Sequence, residues 1–237
     1  MSAKKTNTSR RRSRPVEKQS ATKKIRRNKP AIFLSIFIVF LLVFSGFIYF
    51  FNSNSDSSDN QSKYNTKYPV AEMSTSKGLI AIELYNDKAP ITCKNFIDLA
   101  NDGFYDGLVF HRVIDGFMIQ AGGFDEEGNE KTSPYGTIEL EIDQDLRHVD
   151  GAIAMARQGR DMTDPDFFDT ATSQFYICDG NERVESLNDY YSVFGQVISG
   201  MDVVRDISSV GTTTKYTYYS DWPIDEVVIN NIEILNS

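Results

Sequence analysis

The chain has 237 residues and a formal net charge of −8, but the charge is divided unevenly along it. Residues 1–30 carry 12 Lys or Arg and one acid, a net charge of +11, which leaves −19 for residues 31–237. Because so acidic a surface repels phosphate, the composition excludes nucleic acid as a partner of the longer part. Two histidines far apart in sequence and the lack of a Cys-x-x-Cys motif argue against a metal site.

Residues 31–51 contain no charged side chain and match the length of about 20 apolar residues that a helix needs to cross a bilayer. A buried core helix rarely stays apolar on every side, and a signal peptide has a shorter apolar run before its cleavage site. We therefore expect a transmembrane signal-anchor helix. The basic residues 1–30 precede it, so the positive-inside rule predicts a single-pass protein of the cell membrane, with a cytoplasmic N-terminus and an extracytoplasmic domain.

Residues 52–68 form a polar tract that cannot bury enough apolar surface to fold, and they predict a flexible stalk. Residues 69–237 follow as one domain of ordinary length. Its two cysteines, Cys93 and Cys178, are interpreted as two small buried thiols. A disulfide between them stays open, since the predicted location permits one and the sequence gives no geometry.

The predicted elements of the domain begin with two strands, 69–75 and 79–85. A helix follows, because Pro90 suits a first helical turn and Asn-Asp-Gly at 101–103 suits its end. Further elements are strands at about 108–113, 117–121, 137–142, 151–157, 174–178 and 193–197, a short helix at 200–207 and a closing strand within 225–235. Many short strands with two helices predict an all-β domain built as a closed antiparallel barrel.

The most informative stretch is residues 110–123, which read FHRVIDGFMIQAGG. Arg112 keeps its proton at any ordinary pH and presents its donors in a rigid fork. The bulky apolar residues Phe117 and Met118 and the amide of Gln120 lie a few positions away. A guanidinium beside an apolar pocket can hold a peptide and polarise it. Without a wider pattern, however, Arg112 would be interpreted as a surface arginine in a weak ion pair.

The stretch resembles the signature of the cyclophilins, the cyclophilin-type peptidyl-prolyl cis-trans isomerases. Three further blocks are similar to family segments and occur in family order: IAMAR at 153–157, SQFYIC at 173–178 and SVFGQV at 192–197. The resemblance covers about residues 69–237. It implies an eight-stranded antiparallel barrel capped by two helices, which agrees with the predicted strands, and it implies rotation of X–Pro bonds without a metal or cofactor.

The resemblance also implies a role for each site residue. Arg112 becomes the catalytic residue, which donates a hydrogen bond to the prolyl nitrogen and so favours the twisted amide. The residues implied in substrate binding are His111, Phe117, Met118, Gln120, Ala156, Arg157, Gln174, Tyr176, Leu187 and Tyr191. His111 remains open, because a packed histidine explains it as well as a site residue does. The implied partners are proline-containing segments of unfolded or nascent extracytoplasmic proteins.

Several positions depart from the family pattern: Tyr176 replaces a pocket Phe, Arg157 replaces a frequent Asn, and Ser186 and Tyr191 replace a Trp and a His. Tyr176 adds a hydroxyl, which we expect at the edge of the proline pocket. The Trp supports cyclosporin binding in the family, so Ser186 predicts weak binding of cyclosporin. Loss of the His predicts lower activity. These changes leave an alternative function open: a peptide-binding chaperone or scaffold module with little or no turnover.

Overall fold

A computed structural model describes residues 63–159, 161–215 and 219–235. The predicted cytoplasmic segment 1–30, the predicted membrane helix 31–51 and most of the predicted stalk lie outside these residues. Among the helices of the described ranges, none has the length and apolar character needed to cross a membrane.

Ten strands and two α-helices make up the described part of the domain. In chain order they are β1 (Val70–Thr75), β2 (Gly78–Leu84), α1 (Pro90–Asn101), β3 (Arg112–Ile114), β4 (Met118–Ala121), β5 (Ala152–Met155), β6 (Phe175–Cys178), β7 (Val193–Ser199), α2 (Met201–Ser208), β8 (Thr212–Lys215), β9 (Tyr219–Pro223) and β10 (Ile229–Leu235). Two short 3-10 helices, Pro165–Phe167 and Glu185–Leu187, flank β6 in sequence. Both helices predicted within the domain are confirmed, and so are most of the predicted strands.

Eight of the strands form one curled antiparallel sheet in the order β10-β1-β2-β7-β5-β6-β4-β3. The segment that precedes one edge strand, β3, approaches the start of the other edge strand, β10. Phe110 N–H donates to Val227 O over 2.9 Å, and Ile229 N–H donates to Leu108 O over 2.8 Å. These bonds fall short of a strand ladder between the edges, so complete closure of the barrel stays a prediction.

The interior of the curled sheet is filled by apolar side chains from alternate strand positions and from α1. Phe96 of α1 has its ring centroid 5.4 Å from that of Phe175 on β6 and 5.3 Å from that of Phe194 on β7. The helix begins at Pro90, and the distant Glu141 carboxylate accepts hydrogen bonds from N–H groups of its first turn. An anion there also complements the helix dipole. This packing covers one face of the sheet and leaves the outer face for a site.

The prediction of a strand at 137–142 is wrong. Ile138 forms one isolated bridge, and the N–H of Leu140 donates to the Asp169 side chain. Because a side chain rather than a neighbouring strand accepts this bond, no ladder forms here. The strand predicted at 108–113 is shorter than expected and begins late, at the start of β3.

A hairpin of β8 and β9 was not predicted from the sequence. Its strands, TTTK and YSDWP, lack alternating apolar residues, and a proline within a segment argues against a strand. One residue anchors the hairpin: Trp222 is fully buried and packs against His111 and Phe124. The hairpin lies beside β3, and it therefore contributes to the outer face of the sheet.

The last residues of the predicted stalk contact the domain. The Tyr64 hydroxyl donates to Glu72 on β1 over 2.6 Å, and the Thr66 hydroxyl donates to Glu83 on β2 over 3.0 Å. These bonds tie the last residues of the predicted stalk to the first two strands, and the boundary at residue 69 stays a prediction.

The two cysteines are buried and free, which confirms the prediction of two separate thiols. Cys93 lies in the core inside the sheet, whereas Cys178 belongs to an apolar cluster on the outer face. Burial raises the pKa of both thiols to about 12. Both therefore stay protonated at any physiological pH.

Candidate active site

One row of side chains crosses four neighbouring strands on the outer face of the sheet. Arg112 of β3 pairs with Gln120 of β4. Gln120 in turn pairs with Tyr176 of β6, and Tyr176 pairs with Ala154 of β5. Side chains of directly paired residues point to the same face, with Cβ atoms about 5 Å apart. The row therefore sets a guanidinium, an amide and an aromatic ring side by side.

The alternation along each strand separates this row from the core. On β4, Ile119 points into the interior core, whereas Met118 and Gln120 line the outer face. On β6, Phe175 points inwards and Tyr176 outwards. A slip of one residue in register would exchange the two sets, so the packed core holds the site residues in place.

The row forms part of a groove with a volume of about 560 Å³. All eleven residues that the sequence analysis assigned to the site line it: His111, Arg112, Phe117, Met118, Gln120, Ala156, Arg157, Gln174, Tyr176, Leu187 and Tyr191. Five further lining residues were not predicted: Phe124, Glu130, Gly159, Tyr219 and Ser220. The fold thus brings residues from distant parts of the sequence around one cavity.

One part of the groove is an apolar pocket. Met118, Tyr176 and Leu187 are each more than nine-tenths buried, and Phe117 packs against their cluster while remaining partly exposed. The Arg183 guanidinium lies 4.7 Å from the centre of the Phe117 ring, a cation–π contact at the rim. These four residues, all implied in substrate binding by the resemblance, therefore lie together and form one apolar pocket.

The Tyr176 hydroxyl does not lie at the pocket's edge, where the sequence analysis expected it. It lies 2.8 Å from Nε2 of His148, a buried residue behind the pocket. Burial raises the pKa of the Tyr176 hydroxyl and lowers the pKa of the His148 imidazole, so both are neutral near pH 7. The pocket keeps an apolar lining even though a tyrosine replaces the family's phenylalanine.

The other part of the groove is polar. Gln120 Nε2 donates to Gln174 Oε1 over 2.9 Å, which fixes the two amides relative to each other. Residue 123 must be small for this arrangement, because a Cβ atom on Gly123 would lie 2.5 Å from Gln174 Nε2. An ordered pair of amides can offer both a donor and an acceptor to a peptide backbone.

Arg112 is held loosely. Its side chain is 44% exposed, and its Nε lies 4.0 Å from Oδ2 of Asp221 on β9. An ion pair this long and this exposed contributes little stability. The guanidinium can therefore turn towards a peptide in the groove, and the unpredicted hairpin supplies the acid beside it.

His111 is 5% exposed and packs edge-on against Phe124, with ring centroids 4.8 Å apart. Burial lowers the pKa of its imidazole to about 4, and the positive charge of Arg112 acts in the same direction. His111 is therefore neutral at pH 7. Both interpretations left open by the sequence apply in part, since this packed histidine also lines the groove.

Arg157 lies between two aromatic rings. Its guanidinium carbon is 5.1 Å from the centre of the Phe168 ring and 4.9 Å from the centre of the Tyr191 ring. Its Nε donates to Tyr190 O over 2.9 Å, and Nη2 donates to Met162 O. The side chain therefore ties Tyr191 to the loop that follows β5.

The comparison with known families decides the identity of the domain. The model of the family described as "Cyclophilin type peptidyl-prolyl cis-trans isomerase/CLD" matches residues 70–234. The chain belongs to this family. The expectation drawn from the sequence motifs is confirmed, and the protein is a peptidyl-prolyl cis-trans isomerase of the cyclophilin type.

Known relatives of this cyclophilin span nearly the whole domain. This chain is 44% identical over 168 residues to a peptidyl-prolyl cis-trans isomerase of Acinetobacter baylyi. The alignment covers 70% of this chain and 85% of that protein. The chain is also 38% identical over 162 residues to peptidyl-prolyl cis-trans isomerase B of Escherichia coli, in an alignment that covers 68% of this chain and 96% of that protein. The fold is similar to the crystal structure of a Cryptosporidium parvum cyclophilin in the presence of the dipeptide Ala-Pro, with a TM-score of 0.57 and 28% sequence identity. The superposition covers 70% of this chain and 98% of that one.

Sequence analysis did not assign five of the groove residues of this cyclophilin to the site, and the reasons differ. Tyr219 and Ser220 lie on β9, whose polar sequence gives no strand signal. Phe124 directly follows the glycine pair that ends the motif, and this adjacency is a signal that could have found it. Glu130 and Gly159 lie in loops, where the sequence supplies no register.

Proposed function

We propose that this cyclophilin rotates X–Pro bonds by means of Arg112, which donates a hydrogen bond to the prolyl nitrogen while the apolar pocket holds the proline ring. The observation that carries the proposal is the row of paired residues on the outer face. It sets the guanidinium, the Gln120 amide and the Tyr176 ring around one groove. No covalent bond breaks in this reaction, so positioning and charge are what the site must supply.

Amide resonance is the obstacle that Arg112 would lower. The double-bond character of the peptide link imposes a barrier of about 18–20 kcal/mol. A hydrogen bond to the nitrogen localises its lone pair, which stabilises the twisted state more than the planar one. Arg112 suits this task because its proton is permanent and its acidic neighbour Asp221 is 4.0 Å away. The Gln120–Gln174 pair would hold the substrate backbone during the rotation.

We propose proline-containing segments of unfolded extracytoplasmic chains as the substrates. The Ala-Pro dipeptide used with the Cryptosporidium parvum relative supports a proline ligand, and the pocket walls described above suit one. The location outside the cytoplasm rests on sequence: basic residues 1–30 followed by the uncharged residues 31–51 support a membrane anchor with a cytoplasmic N-terminus.

The closed barrel expected from the sequence belongs to the same proposal. The bonds that join the segment before β3 to the start of β10 support closure, because they bring the two edges of the sheet within hydrogen-bonding distance. A closed sheet would leave no free edge beside the groove for another chain to pair with.

A peptide-binding module with little or no turnover is the second candidate function. It is favoured by Tyr191, which offers a phenol where the family has an imidazole, and by the exposed Ser186, which replaces the family's tryptophan. This function predicts that the groove binds X–Pro peptides without accelerating their rotation.

The test is an isomerisation assay on the full-length chain in mild detergent. NMR exchange spectroscopy would follow cis–trans rotation of a short X–Pro peptide. We expect Arg112→Ala to lower kcat/KM by about 100- to 1,000-fold, the usual effect of removing one hydrogen-bond donor to a transition state. The unfolding curve should stay unchanged, because the ion pair of Arg112 is long and exposed.

Arg205→Ala is the matched control. Arg205 is also a half-exposed arginine beside an aspartate, Asp150, but it lies on α2 and does not line the groove. Its loss should leave kcat/KM within about twofold of the wild-type value. Full activity of Arg112→Ala would contradict the mechanism, and peptide binding by an inactive wild-type protein would favour the second function.

A further inference from the structure

Three of the departures from the family pattern, Arg157, Tyr176 and Tyr191, are in contact along the groove. Tyr191 packs edge-on against Tyr176, with ring centroids 5.8 Å apart, and the Arg157 guanidinium lies against the Tyr191 ring. Tyr176 is also stacked on His148, with centroids 5.9 Å apart and an interplanar angle of 15°. The departures therefore form one continuous wall together with a histidine that the sequence motifs did not include.

The hydrogen bonds around His148 determine its tautomer. The His148 backbone N–H donates to Asn188 Oδ1 over 2.8 Å, which identifies that atom as the amide oxygen. Nδ1 of the imidazole lies 3.0 Å from the same oxygen and must therefore carry the proton. In the neutral ring Nε2 is then an acceptor, so the Tyr176 hydroxyl donates to it over 2.8 Å.

We propose that His148 is a positioning residue of the proline pocket, which holds the Tyr176 ring in the plane against which the substrate's proline packs. The proposal rests on the proposed function of the groove. A phenylalanine ring is held by packing alone, whereas this tyrosine is tied at its backbone and at its hydroxyl. Tyr191 packs against that ring, so a shift of the Tyr176 ring would also disturb the packing of Tyr191, whereas Arg157 has hydrogen bonds of its own.

The effect of this positioning falls on KM rather than on kcat. The proline ring stays in the pocket while the preceding carbonyl turns, so the Tyr176 ring contacts it equally in the planar and twisted states. An interaction that is equal in both states changes KM and leaves kcat nearly constant. This distinguishes His148 from Arg112, whose loss lowers kcat. It also distinguishes His148 from a residue that only stabilises the fold, whose loss would reduce the amount of active protein at constant KM.

The proposal predicts that His148 and Tyr176 act as a pair. Removing one partner leaves a buried polar atom unbonded, whereas removing both restores an apolar wall. We therefore compare four full-length proteins: wild type, His148→Leu, Tyr176→Phe and the double variant. His148→Leu should raise KM by about three- to tenfold, the effect of one ordinary hydrogen bond. The double variant should have a lower KM than His148→Leu and lie within about threefold of wild type.

Tyr85→Phe is the matched control for the loss of a tyrosine hydroxyl. The Tyr85 hydroxyl donates to Glu83 over 2.9 Å, and Tyr85 does not line the groove. The KM of Tyr85→Phe should therefore equal that of the wild-type protein. The proposal is overturned if the KM changes of the two single variants multiply in the double variant, because the two residues would then act independently. It is also overturned if His148→Leu lowers kcat at unchanged KM.

Two additions keep the test decisive. If His148→Leu does not fold, His148→Gln replaces it, since glutamine keeps a polar atom for Tyr176 and should raise KM by less than about threefold. The same proteins are also titrated with the X–Pro peptide by NMR to measure Kd. If the wild-type protein binds the peptide without accelerating its rotation, the isomerase mechanism fails, and the pairing is judged on Kd. Equal Kd values in all four proteins would then overturn the role of His148.

Discussion

The two parts of the groove are built in different ways. In the apolar pocket, Met118, Tyr176 and Leu187 are almost fully buried, and the hydroxyl of Tyr176 is bonded to His148. In the polar part, Arg112 is 44% exposed, and its acidic neighbour is 4.0 Å away. The difference shows that the two parts of the groove have different physical properties: one is rigid and buried, and the other is exposed and charged. Burial fixes the shape of the apolar pocket, while the charged group stays near water, where it is able to move.

The largest expected effect on stability comes from a buried imidazole on the polar side of the groove. Burial lowers the pKa of His111 from 6.5 to about 4. Between these values the unfolded chain binds a proton that the folded chain does not. Stability is therefore complete above pH 6.5 and falls as the pH is lowered to 4, by about 3 kcal/mol in total. Urea unfolding curves at several pH values across this window measure the loss.

His111→Gln tests whether this residue is the source of the loss. The variant should unfold more easily at pH 7, but its stability should fall less between pH 6.5 and 4.5. His148 keeps a smaller slope in place, because burial lowers its pKa as well. Identical pH slopes in the variant and the wild-type protein would show that the polar side of the groove does not contain a buried, uncharged imidazole.

A smaller effect is expected at Ser186, which precedes the pocket residue Leu187 and stands where the family has a tryptophan. Ser186 is exposed, and its hydroxyl donates to Arg183 O over 3.3 Å. We expect weak inhibition of the wild-type protein by cyclosporin and a gain of at least about tenfold in affinity in Ser186→Trp, because an indole adds a large apolar surface. Inhibition constants from the isomerisation assay measure the gain. Ser209→Trp, at another exposed serine, should change nothing, and nanomolar inhibition of the wild-type protein would contradict the prediction.

The smallest effect should come from the amide pair of the polar part. In Gly123→Ala the new Cβ atom would lie 2.5 Å from Gln174 Nε2, so the glutamine must move and its bond to Gln120 is lost. We expect kcat/KM to fall by about threefold, the size of one modest hydrogen bond. Gly211→Ala is the control, because its Cβ would meet Ile224 at an ordinary 3.5 Å. An unchanged kcat/KM in Gly123→Ala would mean that the amide pair does not contact the substrate.

The sequence predicted the groove well because local patterns determine most of it. The motif around Arg112 places the guanidinium and the pocket walls a few residues apart on β3 and β4. Strand alternation then sends Gln120 and Tyr176 to the same face once the strands pair. These signals survive in one sequence because they depend on neighbouring positions.

The features that the sequence did not predict depend on distant partners. His148 is 28 positions from Tyr176 and 40 from Asn188, and no local pattern connects them. The β8–β9 hairpin has polar strands, and its Trp222 packs against His111 and Phe124, which are distant in sequence. Residues 137–142 have a strand-like composition, but side chains accept hydrogen bonds that a ladder would need.

The placement of the two thiols has a practical consequence. Cys93 is enclosed in the core and Cys178 in the outer cluster, and with pKa values of about 12 neither reacts from the folded state. A thiol reagent would modify Cys93 when the interior opens and Cys178 when the pocket wall opens. The unmodified protein therefore has one buried thiol on each face of the same sheet. The labelling rate of Cys93 would report the opening of the core, and that of Cys178 the opening of the pocket wall.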